Sequence, residues 1–314
     1  MIVTVTLNPS LDRTVELSAL VRGGLVRGTS TRLDAGGKGV NVSRALAEHG
    51  DKTRAVLPLG GPDGARLLEL LGGGGVDVVE VPVQAATRSN LSLVEPDGTV
   101  TKVNEPGGPL QLEEVERVVA SVLTAADGAD WVVLCGSLPL GVPVDVYARL
   151  CRLLQHGGTR VAVDSSGAAL CEALRAGPAL VKPNREELAE SVGRPLSTLG
   201  DVLDAAQELR TRGAHAVLAS LGADGAVLVE DDAVAQGRSD VRSPRSSVGA
   251  GDAMLAGFLS AGGSGEPALA TALAWGAAAV SLPGSRMPGA SDLRPEHVRT
   301  SDSLDRTAPL DAPP

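Results

Sequence analysis

Short apolar runs alternate with amphipathic segments through the middle of the chain. The apolar runs, at 131–135, 161–164, 180–182 and 217–220, are typical of buried strands. The segments that follow them, at about 143–154, 168–174, 186–191 and 202–212, each have one apolar face and predict helices. This alternation indicates a parallel sheet covered by helices on both faces, in which ligands bind beyond the carboxyl ends of the strands.

Two stretches, 14–33 and 89–105, do not follow this alternation. The first mixes apolar and polar residues between glycine breaks, and the second predicts a hairpin of 91–94 and 99–103 around the turn Glu95-Pro96-Asp97-Gly98. Together they are compatible either with a small sheet that covers a ligand or with plain edge strands of the main sheet. The segment 291–314 is polar and lacks apolar periodicity, which predicts a partly disordered tail.

The composition excludes several classes of partner. With a formal net charge of −10 and only 1% aromatic residues, the protein should repel nucleic acids and anionic membranes, and it lacks aromatic side chains for stacking bases. Three cysteines without C-x-x-C spacing predict neither a disulfide framework nor a zinc site. The most apolar long stretch, 268–282, is too short to span a bilayer, and we expect a cytoplasmic protein.

The sharpest chemical signal is the segment 246–258, which reads Ser-Ser-Val-Gly-Ala-Gly-Asp-Ala-Met-Leu-Ala-Gly-Phe. Its apolar face predicts a helix that begins near 249–252, where small residues leave the first backbone N–H groups free to bind an anion. A carboxylate such as Asp252 can simply cap such a helix. The glycines, however, cost helix stability, about 1 kcal/mol each relative to alanine. The combination favours phosphoryl transfer, with Asp252 accepting the proton of the attacking hydroxyl.

A second glycine cluster, Gly36-Gly37-Lys38-Gly39-Val40-Asn41, precedes another predicted helix. It is neither a Walker A loop nor a G-x-G-x-x-G motif. Backbone N–H groups, an ammonium and an amide can together hold the hydroxyls and the phosphate of a sugar. Taken alone, the cluster is equally compatible with an ordinary turn before a helix.

Two further polar segments follow predicted strands. In Lys182-Pro183-Asn184-Arg185-Glu186-Glu187, the side chains of Asn184 and Glu187 share a helix face, which suits a hydrated Mg²⁺ near ATP phosphates. An asparagine cap followed by first-turn acids produces the same pattern. The segment 220–226, Ser-Leu-Gly-Ala-Asp-Gly-Ala, predicts a tight turn, and locally the pattern favours a plain hairpin.

In this order, these segments resemble the signatures of the ribokinase-like (PfkB) carbohydrate kinase family, over about residues 1–289. The segment 36–41 is similar to the N-terminal signature, 248–252 to the C-terminal one, and Asn184-x-x-Glu187 to the Mg²⁺/phosphate motif. The resemblance implies ATP and Mg²⁺ as cosubstrates and a homodimer formed through lids. It also implies a three-layer α/β/α core with a mostly parallel sheet (1–8, 35–86 and 108–290) and a small β-sheet lid (9–34 and 87–107).

The resemblance implies roles for individual residues as well. Asp252 would be the catalytic base beside an anion hole of Gly249, Ala250 and Gly251. The residues implied to bind the substrate are Asp12, Gly37, Lys38, Asn41, Arg88 and Ser137, of which Lys38, Arg88 and Ser137 would hold its phosphate. The residues implied to line the nucleotide site are Lys182, Asn184, Ser220, Gly222, Gly225, Val248, Gly249 and Gly251. Asn184 and Glu187 would hold Mg²⁺ through water.

Within the family, the segments 6–15, 87–90, 136–139 and 164–167 are similar to the branch that phosphorylates sugar phosphates. This implies ATP-dependent phosphorylation of a small sugar phosphate, first of all fructose 1-phosphate to fructose 1,6-bisphosphate. Tagatose 6-phosphate and fructose 6-phosphate are alternative substrates, because the same motifs serve them. A non-catalytic sugar-phosphate sensor is the alternative from another class. Leu140 departs from the proline or small residue usual in the family, which could alter how Ser137 is presented.

Overall fold

We describe residues 1–231, 233–241 and 243–311 from a computed structural model of the chain. The strands, in chain order, are β1 (Ile2–Thr6), β2 (Ser10–Leu17), β3 (Gly28–Gly36), β4 (Thr53–Leu59), β5 (Asp77–Pro82), β6 (Arg88–Val94), β7 (Val100–Asn104), β8 (Trp131–Cys135), β9 (Arg160–Asp164), β10 (Leu180–Val181), β11 (Ala216–Ser220), β12 (Ala226–Val229), β13 (Val234–Ser239) and β14 (Val298–Ser301). The helices are α1 (Lys38–Glu48), α2 (Gly61–Leu71), α3 (Leu112–Ala125), α4 (Val146–His156), α5 (Gly167–Leu174), α6 (Arg185–Val192), α7 (Leu199–Thr211), α8 (Ala250–Ser260) and α9 (Gly265–Val280).

The main sheet contains ten strands within the described residues, in the order β14-β13-β12-β11-β10-β9-β8-β1-β4-β5. The strands from β11 to β5 in this order run parallel, whereas β12, β13 and β14 join antiparallel at one edge. The predicted mostly parallel sheet is therefore confirmed. The carboxyl ends of β1, β8, β9 and β10 meet at one edge, where ligands of such sheets bind.

Aliphatic side chains fill both faces of this sheet, as the near absence of aromatic residues requires. On one face, buried residues of α3, α4, α5 and α7 pack against alternate strand residues such as Val132 and Leu134. On the other face, α1, α8 and α9 cover the residues between them, such as Val133 and Cys135. Successive strand side chains point to opposite faces, so the apolar runs of the sequence build a three-layer α/β/α core.

The two stretches that break the alternation form a separate sheet with the order β3-β2-β6-β7. They are therefore not edge strands of the main sheet. The register brings polar residues together on one face, where Asp12 lies opposite both Asp34 and Asn90. On the other face, Leu33 and Leu91 flank Arg13, and Val103 pairs with Leu91. We call this four-stranded sheet the lid, since its polar face lies across a cavity from core residues between 245 and 248 and between 283 and 285.

The structure differs from the prediction of a partly disordered tail over 291–311. Here Val298–Ser301 forms β14 and pairs with β13, which would otherwise be the sheet edge. Residues 306 and 308 also accept hydrogen bonds from the backbone N–H groups of Gly200 and Leu199 at the start of α7. Backbone pairing orders the segment although it carries few apolar side chains. Residues 312–314 of the predicted tail lie outside the described residues, as do 232 and 242 of the predicted core. Among the described residues, no helix is long and apolar enough to cross a membrane.

Candidate active site

The glycine-rich segment predicted to bind an anion starts α8 as expected. Gly249 is the residue before the helix and has a φ of 77°, a conformation that favours glycine. A side chain at this position would also meet the Met287 Cε atom at 2.6 Å. The first backbone N–H groups of α8, from Ala250 to Asp252, have no partner within the helix. They form a small cradle with a partial positive charge, which suits a phosphoryl oxygen.

Asp252 lies in the first turn of α8 beside this cradle and is only 7% exposed. Its Oδ2 atom accepts a hydrogen bond of 2.9 Å from Nδ2 of Asn41 on α1. Burial raises the pKa of Asp252 to about 6, the negative charge of Asp164 adds to the rise, and the Asn41 hydrogen bond opposes it. A carboxylate with such a pKa is largely ionised at neutral pH and is still basic enough to accept a proton.

Two lysines and a fully buried aspartate form a charged cluster near the cradle. Asp164, at the end of β9, is 0% exposed; its Oδ1 atom is 2.7 Å from Lys38 Nζ, and its Oδ2 atom is 3.1 Å from Lys182 Nζ. Burial alone would raise the pKa of Asp164, but the ammonium groups of Lys182 and Lys38 lower it overall. Lys182 Nζ lies 3.4 Å from where a side chain at Gly251 would begin. Lys182 therefore brings positive charge close to the anion cradle.

Asn184 and Glu187 form a helix cap, which is one of the two interpretations that the sequence allowed for this segment. Asn184 precedes α6, and its Oδ1 atom accepts from the Glu187 N–H at 2.8 Å, while Glu187 Oε2 accepts from the Asn184 N–H at 2.9 Å. The other Glu187 oxygen pairs with Lys38 Nζ at 3.0 Å. This cap is compatible with a Mg²⁺ site, because it leaves the Glu187 carboxylate beside the ammonium group of Lys38.

The acidic groups at this edge fit an indirect contact with Mg²⁺ rather than a direct ligand set. Within the described residues, no three His, Cys, Asp or Glu side chains are grouped so that they could hold a metal. Both Glu187 oxygens already accept hydrogen bonds. Mg²⁺ commonly keeps several of its waters and is bound by one or two carboxylates together with substrate phosphates. Glu187 and Asn184 could reach such an ion through water.

The segment 220–226 is the predicted hairpin turn between β11 and β12. Gly222 and Gly225 have φ values of 63° and 88°. A side chain at Gly225 would lie 2.0 Å from the Gly237 carbonyl oxygen, so packing requires glycine there, whereas nothing lies within 4 Å of a side chain at Gly222. The Ser220 N–H donates to the Pro183 carbonyl at 3.0 Å. The turn is thereby tied to the segment that carries Lys182 and Asn184, with open space over Gly222.

A cavity of about 300 Å³ separates the lid from the core. Asp12 lines it from the lid and Val248 from the core, beside the anion cradle. Asp12 Oδ1 accepts hydrogen bonds from Ser10 Oγ at 2.7 Å and from Asn90 Nδ2 at 2.9 Å, and burial raises its pKa. A side chain at Gly36 would lie 2.2 Å from Asp12 Oδ2. The N-terminal glycine cluster therefore leaves space for the aspartate that faces the cavity.

Arg88 and Ser137 come together, but the structure gives Lys38 other partners. Arg88 donates to the Asn8 carbonyl at 3.2 Å, and the Asn8 side chain donates to Ser137 Oγ at 3.3 Å. Lys38 instead binds Asp164 and Glu187 on the side of the predicted nucleotide site. The Leu140 side chain is exposed, and its carbonyl accepts from the Leu110 N–H, so the unusual residue makes an ordinary backbone contact.

Two residues to which the sequence analysis assigned no role connect predicted site residues in the structure. Asp164 joins both lysines, and Asn8 joins Arg88 to Ser137. Each is a polar residue at or just after the end of a buried parallel strand, β9 or β1. That position is the signal that could have found them, since the carboxyl ends of such strands meet at the ligand site.

The chain is similar to known proteins over most of its length. Residues 5–291 match the description "pfkB family carbohydrate kinase". The chain is 41% identical to 1-phosphofructokinase from Rhodobacter capsulatus over 264 residues, 83% of each chain. It is 36% identical to 1-phosphofructokinase from Haloferax volcanii over 312 residues, 98% of this chain and 100% of the relative.

Solved structures are similar to this chain as well. The structure superposes with a TM-score of 0.86 on phosphofructokinase-2 from Escherichia coli in complex with fructose-6-phosphate, at 36% identity, over 93% of this chain and 96% of that one. The Escherichia coli protein has also been solved in a tetrameric inhibited form. The chain has the ribokinase-like fold and belongs to the pfkB family of carbohydrate kinases.

Proposed function

We propose that the protein transfers the γ-phosphate of ATP to a hydroxyl of a sugar phosphate, with fructose 1-phosphate as the preferred acceptor and fructose 1,6-bisphosphate as the product. The observation that carries this proposal is the position of Asp252, buried beside an open helix N-terminus with Lys182 beneath it. A proton acceptor next to an anion cradle is what phosphoryl transfer to an alcohol requires. The names of the relatives in Rhodobacter capsulatus and Haloferax volcanii support the choice of acceptor.

In this proposal, Asp252 accepts the proton of the sugar hydroxyl as that hydroxyl attacks the γ-phosphorus and the bond to ADP breaks. The N–H groups of residues 250–252 bind the oxygens of the transferred phosphoryl group. Lys182 and Lys38 neutralise the charge that develops on that group. The ion pairs of Lys38 with Asp164 and Glu187 support a role on this side of the site. We therefore assign Lys38 to the transferred phosphate rather than to the phosphate that the acceptor already carries.

The acceptor occupies the cavity beneath the lid. Asp12 accepts hydrogen bonds from the sugar hydroxyls, while Gly37 and Asn41 border the sugar at the start of α1. Arg88 and Ser137, joined through Asn8, bind the existing phosphate. One guanidinium and a few hydrogen-bond donors are sufficient for a small anion, even on a protein with a net charge of −10. Fructose 6-phosphate is the second candidate, because the Escherichia coli relative has been solved with it.

The nucleotide lies along Ser220, Gly222 and Gly225, with its phosphates directed towards Lys182 and Asn184. Gly222 supports this placement, since the space over it is open. Mg²⁺, when bound, neutralises charge on the ATP phosphates, and Asn184 and Glu187 hold it through water. The cap between these two residues keeps the Glu187 carboxylate in place for that contact.

The outer face of the lid binds the lid of a second copy of the chain. Its apolar residues Leu33, Leu91 and Val103 lie in one row across the sheet, which Arg13 interrupts between Leu33 and Leu91, and Val103 at the end of that row is 54% exposed. An apolar row on a two-sided sheet needs a partner, because only the other face borders the cavity. In a symmetric dimer, each lid covers the apolar row of the other.

The proposed function is tested by measuring Mg²⁺-dependent release of ADP from ATP. The acceptors are fructose 1-phosphate, fructose 6-phosphate, tagatose 6-phosphate and unphosphorylated fructose. We expect kcat/KM for fructose 1-phosphate to exceed the others by tenfold or more, about 1.4 kcal/mol of transition-state preference. If another sugar phosphate is preferred, the assigned acceptor is wrong. If no acceptor is phosphorylated although a sugar phosphate binds tightly, the protein is a sensor rather than a kinase.

A further inference from the structure

The last described residues, 304–311, lie against two segments of the proposed nucleotide site. We call these eight residues the strap. Leu304 and Leu310 are half-buried against the main core, and the Leu310 N–H donates to the Ser197 carbonyl at 2.9 Å. Pro309 pairs with Thr198 directly before α7. These contacts fix the path of the strap along the junction between α6 and α7.

The strap ends in a two-sided contact at Asp311. The Asp311 N–H donates to Asp224 Oδ2 at 2.9 Å, and the Asp311 carbonyl accepts from Arg185 Nη1 at 2.5 Å. Asp224 lies inside the turn between Gly222 and Gly225, and Arg185 directly follows Asn184. The backbone of one residue, Asp311, therefore bridges the turn proposed to border the nucleotide and the helix start proposed to lie near its phosphates.

The contact with Asp311 adds to the bonds that the turn makes within itself. Both of its glycines have positive φ values and could adopt many other conformations. Its internal backbone bonds are all short-range: the Leu221 N–H donates to the Gly225 carbonyl at 2.8 Å, the Asp224 N–H to the Leu221 carbonyl at 3.2 Å, and the Gly225 N–H to the Gly222 carbonyl at 3.2 Å. The hydrogen bond from Asp311 is the one that ties the Asp224 side chain, among the described hydrogen bonds, to another part of the chain.

Arg185 fixes the second side of the bridge. Besides the Asp311 carbonyl, its guanidinium donates twice to the Leu196 carbonyl, at 3.1 and 2.7 Å. Since Arg185 is the first residue of α6, its side chain links the end of the strap to the segment that carries the cap formed by Asn184 and Glu187. The strap and the nucleotide-binding segments are thus mechanically connected.

We propose that the strap is a positioning element for the nucleotide, in which the backbone of Asp311 holds the Gly222–Gly225 turn and the start of α6 in the arrangement that binds ATP. This proposal rests on the proposed function, because it needs the nucleotide at that turn. By linkage, a contact that favours nucleotide binding must itself be stabilised when the nucleotide binds. The sugar phosphate, which binds beneath the lid, should not have this effect.

A matched pair of variants tests the proposal. Asp311→Pro removes the N–H that donates to Asp224, whereas Asp311→Ala keeps it. Binding of a non-hydrolysable ATP analogue with Mg²⁺ is measured by calorimetry on the full chain. We expect the Kd of Asp311→Pro to rise three- to tenfold and that of Asp311→Ala to stay within twofold of the wild type. Asp224→Ala should weaken binding like Asp311→Pro, and the double variant should be no weaker than either.

Hydrogen exchange gives a second readout. If the strap had only a structural role, its exchange rate would be the same with and without the nucleotide analogue. Exchange across residues 304–311 should slow when the nucleotide analogue binds and should be unaffected by fructose 1-phosphate. Equal Kd values for Asp311→Pro and Asp311→Ala, with unchanged exchange, would overturn the inference while the proposed function stands. If the wild-type protein binds no nucleotide, both fail.

Discussion

Burial sets the protonation state of Asp252, and this has a measurable consequence. As a general base, the carboxyl must be ionised, and its pKa is raised to about 6. We therefore expect kcat/KM to fall as pH decreases below about 6, tenfold per pH unit. Asn41→Leu removes the hydrogen bond that lowers this pKa and should move the acid limb upward by about one unit. Such a bond to a charged group is worth about 1.5–3 kcal/mol, and one pKa unit about 1.4 kcal/mol.

The Asn41 variant also separates Asp252 from the substrate. A sugar phosphate titrates near the same pH, but its pKa does not depend on residue 41. An acid limb that stays in place in Asn41→Leu would mean that the substrate, not Asp252, controls it.

Loss of the Asp164 carboxylate should strongly destabilise the protein. Asp164→Asn leaves the ammonium of Lys182, which is buried, and that of Lys38 without their shared counter-charge. Breaking a buried ion pair in this way costs about 3–5 kcal/mol. The pKa of Asp164 is lowered in the folded protein, so its stabilisation is present above about pH 4 and is lost at lower pH. Urea unfolding should show a gap between the two proteins that narrows as the solution is acidified.

An exposed ion pair provides the control for that measurement. Asp77 binds Arg54 at 2.6 Å, but its side chain is 57% exposed. Asp77→Asn should cost less than about 1 kcal/mol. A comparable loss in both variants would mean that the buried pair has no special role.

Among the secondary-structure elements, β3 shows how the glycine cluster serves a neighbouring strand. A methyl group at Gly36 would lie 2.2 Å from Asp12 Oδ2 on β2. Gly36→Ala should therefore displace Asp12 and raise KM for the sugar phosphate about tenfold or more, with KM for ATP little changed. Gly73→Ala is the control, because nothing lies within 4 Å of that position. Steady-state kinetics with each substrate varied in turn would show an equal change in both KM values if the effect were only a loosened fold.

The elements also show which parts of this protein can be predicted from sequence. The apolar runs correctly located β8, β9, β10 and β11, because a strand buried on both faces has a local signature. The tail could not be predicted in this way, because β14 is ordered by backbone bonds to β13, which leave no trace in side-chain polarity. The pairing of Lys38 with Asp164 is likewise invisible, since the two residues are 126 positions apart. Motif resemblance predicted the role of Asp252, whereas the pKa of this residue depends on burial that only the fold reveals.

At the scale of the whole molecule, the proposed function gives the lid two roles, in substrate binding and in assembly. The row of Leu33, Leu91 and Val103 lies on the face opposite to Asp12, so a partner can cover it without blocking the cavity. Leu91→Glu places a charge in the middle of that row and should convert a dimer to a monomer, as measured by sedimentation. Leu112 is exposed at the start of α3, outside the lid, so Leu112→Glu should leave the association unchanged. If the wild-type chain sediments as a monomer, or if Leu91→Glu remains a dimer, the lid is not the interface.

The role of Asp252 is the central claim, and one substitution tests it most directly. Asp252→Asn keeps the size of the side chain but removes the proton acceptor. We expect kcat to fall on the order of 10²–10⁴-fold, the usual contribution of a positioned base, while the Kd for the ATP analogue and the unfolding temperature remain close to wild type. A variant with near-wild-type kcat would contradict the account, because the proton of the attacking hydroxyl would then have to go elsewhere.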